Sequence, residues 1–149
     1  FLRRVFRATA PGDLFLLGAD LVKDPIRLVQ AYDDSAGVTA AFNKNVLHVL
    51  ARELDLDPGA LDPDDFDHVA VYNDVDDRIE MRLRARRALV VPLLGLEWRI
   101  SAGEEILTET SAKFRVEGLR TELAEAGFAV VTTWTDEASD FSLTLARRI

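Results

Sequence analysis

The chain has 149 residues, 48% of them apolar and 30% charged, the balance of a soluble globular domain long enough to hold a real core. Acidic residues outnumber basic ones, 26 to 18, and a net charge of −8 argues against a nucleic-acid or anionic-membrane surface. The absence of cysteine excludes disulfides, thiolate metal sites and cysteine nucleophiles, and neither a membrane-length apolar run nor a secretory signal pattern is present, so a cytoplasmic protein is expected.

Phe1–Thr9 reads as a helix, with Leu2, Val5 and Phe6 on one face and Arg3, Arg4 and Arg7 opposite. It starts inside an amphipathic pattern and without Met, so the chain is expected to be cut from something longer. Pro11-Gly12-Asp13 is a turn, and Leu14–Leu17 runs apolar without alternation, as a strand buried on both faces of a parallel sheet does. Helix, turn and buried strand form the last part of a βαβ unit. Asp20 falls at that strand's carboxyl end, where open α/β sheets bind ligands, and bracing the loop is its simpler role.

Asp24-Pro25 is a helix start, Asp capping and Pro in the first turn, of a helix running to about Tyr32. After the break at Asp33–Gly37, a stronger helix spans Thr39 to Leu54, with Thr39 as its N-cap. Phe42, Val46, Val49, Leu50 and Leu54 form its expected buried stripe, and His48 lies off that stripe without partners at metal-ligand spacing. Asp55–Asp67 opens like a calcium loop, but Gly59 and Phe66 stand where oxygen ligands belong, so a solvated loop is expected. His68 opens the next strand, and catalysis there would need partners the sequence does not reveal.

Four extended segments follow: His68–Asn73, Arg78–Arg86, Leu89–Leu93 and Leu96–Ile100. In the second, Ile79, Met81, Leu83 and Ala85 share an apolar face. Arg78, Glu80, Arg82, Arg84 and Arg86 share the other, a solvated row expected to pair with neighbouring carboxylates. Leu96, Trp98 and Ile100 are the expected buried side of the fourth. Met81 reads as core filling on pattern alone.

The stretch Gly103–Phe114, GEEILTETSAKF, is the one that carries chemistry. It turns, extends through Glu105–Thr110 and passes into a helix from about Lys113 to Ala126, closed by Gly127. Alternation puts Glu109 and Ser111 on one face. An acceptor-only carboxylate beside a hydroxyl suits a ring with one N–H and one bare nitrogen, such as neutral imidazole. By local pattern the pair equally fits a first-turn carboxylate and a helix cap. Two last strands, Phe128–Trp134 and Phe141–Ala146, end the chain.

GEEILTETSAKF, together with LLGADLVKDP, AYDDSAGVTAAFNKNVL and RIEMRLR, resembles the histidine-specific, S-adenosylmethionine-dependent methyltransferases, which make the trimethylated histidine betaine of ergothioneine biosynthesis. The similarity runs in order along nearly the whole chain. It implies an α/β chain: the C-terminal part of a class I, Rossmann-like methyltransferase with an inserted antiparallel α+β substrate-binding subdomain. Residues 1–34 and 112–149 would belong to the methyltransferase core and residues 35–111 to the subdomain. It further implies that Glu109 and Ser111 hold the imidazole nitrogens of L-histidine, that Met81 lines the ring's slot, and that Thr39 meets the amine or carboxylate end. No catalytic side chain and no metal are implied, nor a nucleic-acid or membrane partner, and the full-length protein is expected to be a monomer. The glycine-rich turn that holds S-adenosylmethionine in such folds is missing, so the cofactor contacts are expected upstream of Phe1 and the chain alone is expected to be inactive. Two other readings stay open: the same scaffold acting on another amino acid or amine, and a non-catalytic interaction module derived from a methyltransferase.

Overall fold

A computed structural model describes Phe1–Ile149. The chain is mixed α/β, as expected, and divides into two compact units: Phe1–Lys23 with Ala112–Ile149, and Asp24–Ser111. The sequence reading ended its first segment at residue 34. The first compact unit ends at Lys23, and the helix that follows packs its Leu28 with Ile79 and Met81 of the second unit.

The first unit contains α1 (Leu2–Ala8), β1 (Leu14–Asp20), α4 (Val116–Glu125), β7 (Phe128–Thr135) and β8 (Phe141–Arg148). Its sheet has the order β1-β8-β7, with β8 antiparallel to both neighbours. Among these residues β1 stands at the outer end of the sheet, and Leu14 and Leu16 on it are each 56% exposed. Leu2, Val5 and Phe6 of α1 pack on Leu123, Phe128 and Ala146. Gly127 ends α4 at φ +90°, and a Cβ there would lie 2.4 Å from a Phe6 ring carbon, so only glycine fits this cap. α4 starts at Val116, three residues later than expected, and Arg115 at its N-cap makes no side-chain cap. Glu109 and Ser111 are thus not the cap of this helix.

Two features secure the carboxyl end of β1. Leu21 bridges Phe114 in parallel, with Phe114 N–H donating to the Asp20 carbonyl (2.9 Å) and Val22 N–H to the Phe114 carbonyl (3.0 Å). The Asp20 carboxylate takes Lys23 Nζ on one oxygen (2.7 Å) and the buried Lys113 Nζ on the other (2.9 Å). Burial pushes the Asp20 carboxyl up, and the hydrogen bonds from the two lysines outweigh it and hold the group below the usual carboxylate range. Bracing the loop is what Asp20 does.

The second unit contains α2 (Pro25–Tyr32), α3 (Val38–Glu53), β2 (Phe66–Asn73), β3 (Arg78–Ala85), β4 (Leu89–Leu93), β5 (Leu96–Ile100) and β6 (Glu105–Ala112). Its sheets have the orders β2-β3-β6 and β4-β5. Asp24 caps α2 by accepting from Ile26 N–H, with Pro25 in the first turn. The β4–β5 hairpin turns through Leu94 and Gly95, both at positive φ, the geometry that matches strand twist. Leu96 beside that turn is 75% exposed, so only Trp98 and Ile100 of the expected triplet pack inward.

α3 differs from its sequence reading by one position of helix rotation. Asn43 and Leu47 are its buried residues, whereas Phe42 is 62% exposed and Val46 borders on exposed. The core beneath it joins Leu47 to Leu61, Phe66, Leu83, Ala85, Leu89, Val91 and Ile100. Fully burying side chains such as Phe66 and Leu83 contributes roughly 1.5–3 kcal/mol each. On the opposite face of β3 the arginines are paired: Arg82 with Glu80 and Glu105, Arg84 with Glu105, Arg78 with Glu80.

Candidate functional site

All four candidates from the sequence lie in the second unit, on three elements: Thr39 on α3, Met81 on β3, Glu109 and Ser111 on β6. Met81 is buried, packed with Leu28 and Ile79 and bordered by Tyr32 and Tyr72. Glu109 is exposed and Ser111 half-buried. Along β6 the half-buried residues are Glu105, Ile106, Thr108 and Ser111, so exposure does not alternate evenly along the strand.

The structure adds a residue that the sequence reading treated only as a helix end. The Tyr32 hydroxyl, from the last residue of α2, lies 2.7 Å from the Ser111 hydroxyl. Tyr32 also borders Met81, and so joins the two strands that carry candidates. Nothing local in the sequence marks it, because its partner is 79 residues away.

Thr39 is not the N-cap of α3. That position is Gly37 at φ +70°, and the orphan amides of the first turn are met by Asp34, whose oxygens accept from Val38 N–H (3.1 Å) and Thr39 N–H (2.8 Å). Hydrogen bonds from the Thr39 backbone and side chain, and from the Val38 backbone, lower the Asp34 carboxyl to about 2.

His68 has the partners its sequence position did not disclose. Its Nδ1 lies 2.9 Å from Asn43 Nδ2 and its Nε2 lies 2.8 Å from the Tyr32 carbonyl. Asn43 Nδ2 also donates to the Arg82 carbonyl (3.2 Å), while the single hydroxyl hydrogen of Thr108 is shared between Asn43 Oδ1 (2.5 Å) and the Met81 carbonyl (2.8 Å). His48, by contrast, is exposed on α3.

Comparison with known proteins places the chain in a family. The family described as "Histidine-specific methyltransferase, SAM-dependent" matches residues 1–148. A histidine N-alpha-methyltransferase of Mycolicibacterium smegmatis is 56% identical over 99% of this chain, and one of Mycobacterium tuberculosis is 52% identical over the same share. The chain spans 46% of each, about half the length of the curated relatives it matches. A solved S-adenosylmethionine-dependent methyltransferase from Clostridium acetobutylicum overlays 99% of the chain and 49% of its own at 10% identity and a TM-score of 0.43. A match along nearly the entire sequence, with two relatives above half identity, settles the affiliation: the chain belongs to the S-adenosylmethionine-dependent, histidine-specific methyltransferase family.

Proposed function

We propose that this chain is the carboxyl-terminal, substrate-holding part of an enzyme that methylates the α-amine of L-histidine, giving the trimethylated betaine used in ergothioneine biosynthesis. S-adenosylmethionine, bound mainly by residues outside these 149, supplies the methyl group. The glycine-rich turn that holds the cofactor in such folds is not among these residues. The acidic side chain at the end of β1, Asp20, has its two oxygens engaged by Lys23 and Lys113.

The observation that carries the reading is the contact between Tyr32 and Ser111, on the strand that also holds Glu109 and beside buried Met81. A hydroxyl has one hydrogen to donate and lone pairs to accept. With Tyr32 donating to Ser111, the Ser111 hydrogen is directed to the bare nitrogen of an imidazole, while the Glu109 carboxylate accepts from the ring N–H. Met81 closes the ring's slot, and Thr39 lies toward the amine and carboxylate end. Clamping the ring fixes the aim of the amine, which is the main task in a displacement governed by positioning. It also sets specificity: a substrate without the ring N–H forgoes the bond to Glu109, and an indole has no acceptor for Ser111.

The test uses the full-length protein carrying this chain, S-adenosylmethionine and a panel of free amino acids, read by mass spectrometry. Methylation confined to histidine and lost on Glu109→Ala supports the reading. Methylation of a different amine removes the imidazole assignment, and no methylation of any amine favours the interaction module.

A further inference from the structure

Around the site runs a chain of hydrogen bonds with one consistent proton arrangement. Asn43 is 3% exposed, and its amide nitrogen faces the Arg82 carbonyl, which fixes that atom as the donor. The same nitrogen faces His68 Nδ1, so Nδ1 accepts. His68 Nε2 faces the Tyr32 carbonyl, so Nε2 carries the hydrogen and donates. The amide oxygen of Asn43 accepts from Thr108, whose hydroxyl also reaches the Met81 carbonyl. With Asn43 so oriented, both ring nitrogens of His68 are satisfied only in the Nε2–H tautomer.

This chain touches or borders every candidate residue. It ends on the backbone carbonyl of Tyr32, whose hydroxyl meets Ser111, and it includes the backbone carbonyl of Met81. Asn43 lies one helical turn beyond Thr39 on α3, and Thr108 immediately precedes Glu109 on β6. His68 itself stands on β2, an element with no candidate of its own.

We propose that His68 is a positioning residue for the substrate pocket: its Nε2–H holds the carboxyl end of α2 so that the Tyr32 hydroxyl reaches Ser111, while its Nδ1 ties that end, through Asn43 and Thr108, to β3 and β6. This rests on reading the pocket as a histidine site. His68 does not touch the substrate. It acts through Tyr32, and its two nitrogens have separable effects.

Two isosteric variants divide them. In His68→Gln the amide nitrogen replaces Nε2–H and keeps the bond to Tyr32, whereas in His68→Asn the amide oxygen replaces Nδ1 and keeps only the bond to Asn43. Each variant loses one hydrogen bond, so their melting temperatures fall together. In the full-length protein, His68→Asn raises KM for histidine about five- to tenfold with kcat nearly unchanged, and His68→Gln stays within about twofold of the parent. Equal KM changes in the two variants, or none in either, overturn the proposal.

Nuclear magnetic resonance gives a readout that needs no turnover. The parent should show the Nε2–H pattern of nitrogen shifts for His68, and the Tyr32 ring signals should move in His68→Asn but not in His68→Gln. A protonated or Nδ1–H His68 overturns the proposal as well. Should the enzyme leave histidine unmethylated while these signals behave as expected, the substrate reading fails and the positioning of Tyr32 by His68 stands.

Discussion

Tyr32 and Ser111 meet hydroxyl to hydroxyl at 2.7 Å, although one ends the first helix of its unit and the other lies near the end of that unit's last strand. The bond orders the Ser111 hydroxyl, and Tyr32→Phe removes that order without removing the ring that borders Met81. Tyr32→Phe should therefore raise KM for histidine about three- to tenfold, in the range of one neutral hydrogen bond, with a smaller change in kcat. Steady-state kinetics on the full-length protein checks this, and an unchanged KM would remove Tyr32 from the pocket.

Glu109→Gln replaces an acceptor-only carboxylate by an amide. A hydrogen bond to a charged group contributes about 1.5–3 kcal/mol, so kcat/KM for histidine should fall at least about tenfold. Glu109 is exposed, so the substitution should leave thermal stability within about 0.5 kcal/mol. Parallel melting curves and kinetics separate the two effects, and a loss of stability matching the loss of activity would make Glu109 structural.

Glu80 gives the second unit an acid-sensitive joint. Hydrogen bonds from Arg82, Asn73 and Arg78 lower its carboxyl from the ordinary 4.5 to about 2. A depressed carboxylate contributes stability that is fully present above the unfolded value and is lost as pH falls through the folded one. The denaturation midpoint should thus decline between about pH 4.5 and pH 2, and Glu80→Gln should flatten that segment while lowering the plateau above it. Urea titrations at several pH values measure both, and a Glu80→Gln profile parallel to the parent would contradict the assignment.

Gly127→Ala should destabilise the first unit by more than about 1 kcal/mol, since it imposes a side chain on positive φ and drives a Cβ into the Phe6 ring. Calorimetry detects the shift. Phe6→Ala in the same background should relieve the steric part and leave the backbone strain, so the two substitutions should be less than additive.

Much of this architecture is legible in the sequence because local chemistry decides it. Asp24-Pro25 starts a helix, Gly127 ends one, and the alternation of Ile79, Met81, Leu83 and Ala85 fixes the buried face of β3. α3 misleads because its buried stripe contains a polar residue. Asn43 is inside for the sake of His68, Arg82 and Thr108, and hydropathy alone turns the helix toward Phe42 and Val46. Thr39 misleads for a related reason: Asp34, further upstream, wins the competition to cap the first turn. Tyr32 depends on a partner far along the chain.

The neighbouring backbones of Leu21 and Phe114 bear on how such a protein changes over time. The polypeptide leaves the first unit after Lys23 and re-enters it at Ala112, from points already stapled together. To that unit the whole excursion is a loop with closed ends, and closing a loop twice as long costs only about 0.6 kcal/mol more. Lengthening, trimming or exchanging the excursion leaves the closure entropy of its host nearly constant. Under the proposed function, the candidates that grip the acceptor's ring, Met81, Glu109 and Ser111, all lie inside that exchangeable stretch, so changes there can alter which ring is held without rebuilding the scaffold that carries it.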